Sequence, residues 1–252
     1  MFHYSIDDFI DAFLDLSENN YHSIWEQKTF ARLKEWHDTY GMSFSGYVFL
    51  RNERGALFQV PAKYAEEFKG AADWLKFGFH GIEYATNYGS KKFPSPDAID
   101  DYNQAKADYE QVIQELLRIT GSEASIDRCP RIHYYAGTLA DCRGFKAAKC
   151  GIMGLISAED DRECYYLDAE AHGWLNESNF YRDDNLQLDF YRTSIRLENM
   201  ETLAELEEKL HTLDKSKPCL IFTHEKFLQE EEMWKKLAFC GKHFMGCEGL
   251  KQ

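Results

Sequence analysis

The sequence predicts an α/β barrel built mostly from parallel strands, and three observations support this prediction. The chain has 252 residues, a length at which α/β barrels commonly form one cooperative unit, so a single domain over residues 1–252 is expected. Short apolar segments alternate with amphipathic ones along almost the whole chain, with connections too long for hairpins. No G-x-G-x-x-G motif follows the first strand, which disfavours the rival fold, a doubly wound open sheet.

The first half of the chain contains three segments rich in aromatic and β-branched residues, which predict strands at 2–6, 43–50 and 75–81. Between these strands, apolar residues at helical spacing predict helices at 24–40 and 61–74. Gly41 follows the first of these helices, where a left-handed cap requires a residue without a side chain. The segment 87–98 is rich in Gly, Pro and Ser, which predicts a long loop that serves the substrate at the barrel mouth.

The second half continues the alternation. Strands are predicted at 131–137, 151–157 and 219–225, and helices at 109–117, 140–149, 165–177, 203–213 and 233–239. Polar and apolar residues alternate over 185–199, which predicts a strand or hairpin with one solvent-exposed face. Each half therefore contributes several strand and helix units to the same parallel sheet.

The composition limits the partners and the compartment. The formal net charge is −14 and no stripe of Lys or Arg is present, which argues against a nucleic-acid partner. No segment is apolar enough to predict a membrane span, and the first residues lack the pattern of a secretion signal. The seven cysteines include no C-x-x-C pair, which is typical of a reducing compartment. We therefore expect a cytoplasmic protein; the oligomeric state stays open.

Candidate chemical groups follow the predicted strands. Asp7-Asp8, His80, His133 and His224 lie at or near the carboxyl ends of four separate strands. In parallel α/β folds these ends share one edge, so we expect the side chains to be neighbours. A carboxylate and two neutral imidazoles suit a divalent cation that activates water, and a second carboxylate can accept the proton of that water.

Each of these signals also has a purely structural explanation. Asp is a favoured N-cap residue, so Asp7-Asp8 could simply begin the helix expected at 9–16. A single histidine most often makes a structural hydrogen bond. Four coincident groups at strand ends favour the functional hypothesis. His224-Glu225 lacks the second histidine of H-E-x-x-H, and no nucleophile-elbow pattern is present.

Five stretches resemble the polysaccharide deacetylase homology family, carbohydrate esterase family 4, over nearly the full chain: YSIDDF at 4–9, LKFGFHGIEY at 75–84, DRCPRIHYYAG at 127–137, FYRTSIRLEN at 190–199 and IFTHE at 221–225. The resemblance implies a distorted (β/α) barrel of seven to eight mostly parallel strands. It also implies metal-dependent removal of an acetyl group from an N-acetylated sugar or related amide, with zinc as the first candidate metal.

The resemblance also implies roles for individual residues. Asp7 would be the base, His224 the acid, and Asp8 and His80 metal ligands. Tyr84 stands where the family has its second metal-binding histidine, so Glu83, His133 or His224 are alternatives for the third ligand, and His133 is our first choice. Arg131 or Arg128 would pair with Asp7. The expected substrate contacts are Tyr84, Glu83, Tyr135 and Arg196, with Thr193 as a further possibility.

A second hypothesis follows from the same departure. A barrel without the usual histidine pair could have lost catalysis and bind a carbohydrate or another small ligand instead, because one fold supports many functions.

Overall fold

The strands form two sheets in the computed structural model, which describes residues 2–89 and 97–245. The first sheet has five parallel strands in the order β3-β2-β1-β8-β7. The second has the order β4-β6-β5, in which β4 and β6 are parallel and β5 is antiparallel. The bounds are β1 Phe2–Phe9, β2 Phe44–Phe49, β3 Leu75–Gly81, β4 Gly154–Ser157, β5 Phe180–Asp183, β6 Leu188–Arg192, β7 Ile195–Arg196 and β8 Cys219–His224.

Backbone hydrogen bonds connect the two sheets on both sides. On one side, Asp127 donates its N–H to β3 at 2.8 Å, and the Pro130 carbonyl accepts from β4 at 3.0 Å. On the other side, Thr193 donates to β4 at 3.2 Å and Ser194 donates to β8 at 2.8 Å. The strands therefore succeed one another around a distorted (β/α) barrel, and the predicted fold class is confirmed.

The helices cover the strands, and two of them end at a glycine, as the sequence predicts for Gly41. Gly41 and Gly121 are left-handed C-caps with φ of 69° and 68°, as expected for a residue without Cβ. The described residues form helices α1 Asp11–Glu18, α2 Lys28–Tyr40, α3 Ala65–Gly70, α4 Tyr102–Thr120, α5 Leu139–Ala147, α6 Ala169–Ser178, α7 Leu203–Thr212 and α8 Glu231–Phe244. Among the described helices, none is both long and apolar enough to cross a bilayer.

A cluster of phenylalanine rings fills the space between the central strands and the first helices. Its members are almost completely buried: Phe9, Phe13, Phe30, Phe68 and Phe77. The ring centroids of Phe13 lie 4.9 Å from Phe77 and 5.6 Å from Phe30, distances at which aromatic pairs attract. Part of the high aromatic content therefore serves core packing rather than ligand binding.

Several predicted elements differ from the structure, among them the helix predicted at 61–74, which is a 3-10 turn at Ala62–Tyr64 followed by α3 alone. The segment 131–137 is no strand: it holds a short 3-10 helix, His133–Tyr135, with left-handed backbone at Tyr134 and Tyr135. The predicted strand or hairpin at 185–199 is an antiparallel hairpin of β5 and β6 followed by β7, so it begins earlier than expected. Helix α6 starts only at Ala169, after its N-cap Asp168. Of the predicted loop 87–98, residues 90–96 lie outside the described residues.

Candidate active site

A cleft of about 210 Å³ opens at the carboxyl ends of β1, β3 and β8. Its lining combines acidic, imidazole, cationic and aromatic side chains from distant parts of the chain. The lining residues are Asp7, Asp8, His80, Tyr84, Arg131, Ile132, His133, Tyr134, Tyr135, Arg162, Arg196, His224 and Lys226. The aspartate pair and the three histidines that the sequence predicts to be neighbours therefore share one cleft.

A bulge in β1 brings both aspartates into this cleft. Neighbouring side chains of a regular strand point to opposite faces. Between Ile6 and Phe9, β1 advances three residues while its partner strand advances two, from Gly46 to Val48, which is the count of a β-bulge. Asp8 lies in the bulge with φ of 56°, a left-handed conformation that aspartate tolerates better than most residues. Both carboxylates therefore line the same cavity instead of opposite faces.

Asp8, His80 and His133 hold one oxygen and two nitrogens around a common point. Asp8 Oδ1 lies 3.1 Å from His80 Nε2 and 3.7 Å from His133 Nδ1, and the two nitrogens are 3.2 Å apart. A cation about 2.0–2.1 Å from three such atoms, at tetrahedral angles, requires separations of about 3.3 Å. Within 2–89 and 97–245, this is the one group of His, Cys, Asp or Glu found with metal-binding spacing. The three atoms fit a single divalent cation.

Contacts behind the histidines fix their rings. His80 Nδ1 lies 2.5 Å from the carbonyl oxygen of Arg131, and because a carbonyl only accepts, Nδ1 donates and Nε2 faces Asp8. A second partner of this kind is what orients a metal-binding imidazole. The Phe49 ring packs against both imidazoles, with centroid distances of 4.9 Å to His80 and 5.1 Å to His133. Both ring orientations are therefore set without a cation.

Burial and mutual charge shift the pKa values of these three groups. Burial alone would raise the pKa of Asp8, but the His80 hydrogen bond and the neighbouring histidine charges lower it to about 2. Burial opposes the charged form of His80, yet the hydrogen bond and charge of Asp8, with the charge of Asp7, raise its pKa. Burial and the charge of His80 lower the pKa of His133 to about 3. His133 is thus a neutral ligand, and Nε2 of His80 must carry no proton when it binds a cation.

Asp7 forms a separate buried ion pair beside this group. Arg131 is 1% exposed and its Nη1 donates to Asp7 Oδ1 at 2.6 Å. The same guanidinium donates to Ser5 Oγ and Thr193 Oγ1, each at 3.0 Å. Asp7 Oδ2 has no hydrogen bond to a described residue. Of the two arginines that the sequence offers as partners of Asp7, the structure thus brings Arg131 to it.

His224 is held by a carboxylate that the sequence analysis missed. Its Nδ1 donates to Glu198 Oε1, which also accepts from Arg196 Nε at 2.8 Å. Burial alone would raise the pKa of Glu198, but the hydrogen bond and charge of His224 lower it. With Nδ1 engaged, Nε2 is the nitrogen of His224 that a bound molecule can reach. Glu198 lies two residues beyond the end of β7, so a search for polar side chains after strands finds it once β7 is recognised.

The remaining predicted residues divide into two groups. Tyr84 and Tyr135 line the cleft; Tyr84 is 62% exposed and its ring centroid lies 4.8 Å from that of His133. Glu83 does not line it and forms an ion pair with Arg51 at 2.9 Å. Arg128 donates to a backbone carbonyl and lines a separate cavity of about 390 Å³, near the amino ends of β3 and β4, whose lining contains no histidine. Neither Glu83 nor Arg128 belongs to the site.

The aspartate pair does not cap helix α1. The N–H groups of Ile10, Asp11 and Ala12 all donate to the Glu225 carboxylate, each at 2.7 Å. Burial raises the pKa of Glu225 to about 7, against the effect of these three donors. The free N–H groups at the helix start are therefore satisfied by Glu225, the residue after β8, which leaves Asp7 and Asp8 to the cleft.

Comparisons with known proteins add two solved structures of low similarity. No family model matches the chain, and no curated protein matches it. A family 4 acetyl xylan esterase from Clostridium thermocellum, in complex with a cobalt ion, is 10% identical with a TM-score of 0.44, over 88% of this chain and 73% of that one. The Xyl-CE4 domain of a multidomain xylanase from the hindgut metagenome of Trinervitermes trinervoides is 9% identical with a TM-score of 0.46, over 94% and 79%. Values this low carry no argument about activity or substrate.

Proposed function

We propose that the cleft hydrolyses the bond between an acetyl group and a nitrogen, in an N-acetylated sugar or a related amide, with one divalent cation held by Asp8, His80 and His133. Zinc is the first candidate. One observation carries the proposal: three ligand atoms with metal-like spacing share a small cleft with a second carboxylate, on Asp7, and a carboxylate-bound imidazole, on His224. The sequence motifs that resemble carbohydrate esterase family 4 contain the same aspartates and all three histidines.

Asp7 is the proposed base. A divalent cation supplies a polarised carbonyl and a more acidic water when it is bound. Arg131 occupies Oδ1 of Asp7 from the buried side, so Oδ2 is the oxygen that can accept a proton from water. Because Asp7 and Asp8 are adjacent in the bulge, base and metal ligand are positioned by the same short stretch of backbone.

His224 is the proposed acid. Nδ1 donates to Glu198, so a proton on Nε2 can pass to the departing amine. The Glu198 carboxylate fixes the ring through Nδ1, which makes Glu198 a positioning residue. We expect Glu198→Gln to lower kcat by about tenfold or more with little change in KM, since general acid catalysis contributes about 10²–10⁴-fold. Metal content stays unchanged in this variant because Glu198 does not contact the three ligands.

Metal content and acetate release together test the proposal. Purified protein should contain one equivalent of metal, and chelation should abolish acetate release from N-acetylglucosamine oligomers. Asp8→Asn should lose the metal and at least about 100-fold in kcat/KM, whereas Asp73→Asn, an exposed aspartate outside the cleft, should keep both. Asp8→Asn protein that keeps both metal and hydrolysis would rule the proposal out.

One observation favours the second hypothesis, a barrel that binds a saccharide without catalysis. Asp8 and His80 already satisfy each other through a hydrogen bond, and the largely exposed Tyr84 offers a flat surface at the mouth of the cleft. Metal content separates the two: a protein that binds acetylated sugars but takes up no divalent cation is the non-catalytic barrel.

A further inference from the structure

The cleft is lined by more cationic than acidic side chains, although the whole chain is acidic. The protein has 43 acidic and 29 basic residues. The cleft lining, in contrast, contains two carboxylates and four Arg or Lys side chains. Both carboxylates are committed, Asp7 to Arg131 and Asp8 to the histidines. Three cations therefore remain for a bound molecule: Arg162, Arg196 and Lys226.

Carboxylates outside the lining hold the two arginines in place. Arg196 Nε donates to Glu198 at 2.8 Å, and its Nη1 lies 3.9 Å from Glu159. Arg162 donates through Nε and Nη2 to Asp160, with the Nε contact at 2.6 Å. Each guanidinium thus keeps one terminal nitrogen, Nη2 of Arg196 and Nη1 of Arg162, without a hydrogen bond to a described residue. A guanidinium fixed in this way loses little freedom when it binds an anion.

Of these three cations, Lys226 is the one whose charge is least neutralised by nearby carboxylates. It follows His224 by two residues and is exposed, with Nζ 5.1 Å from the centroid of the Phe227 ring. No carboxylate among the described residues lies within ion-pair distance of it. The cleft therefore presents one unpaired ammonium close to the proposed acid.

The position of the cations indicates which part of a substrate they meet. Arg196 and His224 bind the same oxygen of Glu198, and Lys226 lies two residues from His224. The aromatic rings of Tyr84 and Tyr134, in contrast, contact His133. Arg162 joins the same group, because its guanidinium lies over the ring of Tyr135, whose hydroxyl donates to the Glu159 carboxylate beside Arg196. Since His224 would protonate the departing amine, the cations surround the amine fragment rather than the acetyl group.

We infer that the substrate carries an anionic group, a carboxylate or a phosphate, on the amine fragment released by deacetylation, and that Arg162, Arg196 and Lys226 recognise it. This inference rests on the proposed function for the reaction itself, but the recognition of the anion is a separate property. Hydrogen bonds from charged donors to an anion are among the strong ones, so the anion should tighten binding by about tenfold or more.

The test compares three probes: N-acetylglucosamine, its 6-phosphate and N-acetylmuramic acid, which carries a carboxylate. Dissociation constants are measured by calorimetry and acetate release is measured in parallel, on the full chain with and without added zinc. We expect at least one anionic probe to bind about tenfold or more tighter than the neutral sugar, with a preference that falls as salt is added. The probe with the larger preference identifies the anion.

Two variants test whether the cleft is the source of the tighter binding of anionic probes. Lys226→Gln and Arg162→Gln should each reduce it to about threefold or less, while Lys28→Gln, which removes an exposed charge outside the cleft, should leave it unchanged. Equal binding of neutral and anionic probes, binding of none of them, or a preference that survives both variants overturns the inference. Acetate release from neutral sugars, without tighter binding of the anionic probes, would support the proposed function and contradict the inference. Anion-selective binding without acetate release would support the inference and contradict the proposed function.

Discussion

Replacing Arg131 by glutamine should destabilise the fold far more than an ordinary arginine substitution. Arg131 is 1% exposed and donates to Ser5, Asp7 and Thr193 at 3.0, 2.6 and 3.0 Å. Without it, the Asp7 carboxylate stays 2% exposed with no cation beside it. Removing one partner of a buried ion pair costs about 3–5 kcal/mol, so we expect Arg131→Gln to lower the free energy of unfolding by that amount.

Urea unfolding followed by circular dichroism measures this loss, and a double-mutant cycle separates the ion pair from other contacts. The double variant with Asp7→Asn and Arg131→Gln leaves no unpaired charge buried. Its free energy of unfolding should therefore be about 2 kcal/mol higher than the sum of the two single changes predicts. Arg128→Gln is the matched control, because Arg128 is exposed and bonds to a backbone carbonyl; it should cost about 0.5 kcal/mol or less. Equal losses for Arg131→Gln and Arg128→Gln, or strictly additive effects in the cycle, would refute the reasoning.

Three further predictions concern pH, helix capping and metal. Burial lowers the pKa of His3 from 6.5 to about 4. The free energy of unfolding should therefore be unaffected by His3 above pH 6.5 and should fall by about 3 kcal/mol as the pH is lowered from 6.5 towards 4. In His3→Gln this pH dependence should disappear from urea titrations. Glu225→Gln should cost about 1–3 kcal/mol, because an amide cannot accept all three N–H groups at the start of α1; an unchanged urea midpoint would argue against this cap. Zinc at about 100 times its Kd should stabilise the wild type by about 2.7 kcal/mol in thermal unfolding and leave Asp8→Asn unaffected.

The sequence predicts which residues meet at the cleft when the strands that carry them are long and apolar. β1, β3 and β8 end in Asp7-Asp8, His80 and His224, and parallel strands must present these ends on one edge. What the pattern cannot show is the bulge, because nothing in the letters of YSIDDF distinguishes a regular strand from one with an extra residue. The bulge nevertheless decides that both aspartates line the cleft.

The parts that the sequence misses or assigns to the wrong element belong to short or irregular elements. His133 lies in a 3-10 turn with left-handed tyrosines after it, although RIHYYAG has the composition of a strand. Glu198 follows β7, which has only two residues and gives almost no periodic signal. The choice between Arg128 and Arg131 depends on which side chain turns inward, and that is decided by tertiary packing.

Several expectations from composition stay predictions. These are the cytoplasmic location, the absence of a nucleic-acid partner, the single domain over 1–252 and zinc as the metal. The six described cysteines are free thiols, which agrees with a reducing compartment but does not test it.

Anomalous diffraction from crystals loaded with zinc tests the central claim most directly. We predict one strong peak about 2.0–2.2 Å from Asp8 Oδ1, His80 Nε2 and His133 Nδ1, and no such peak in crystals of His133→Ala protein grown the same way. A wild-type map without a peak between these three atoms, or with its main zinc peak elsewhere on the protein, would contradict it.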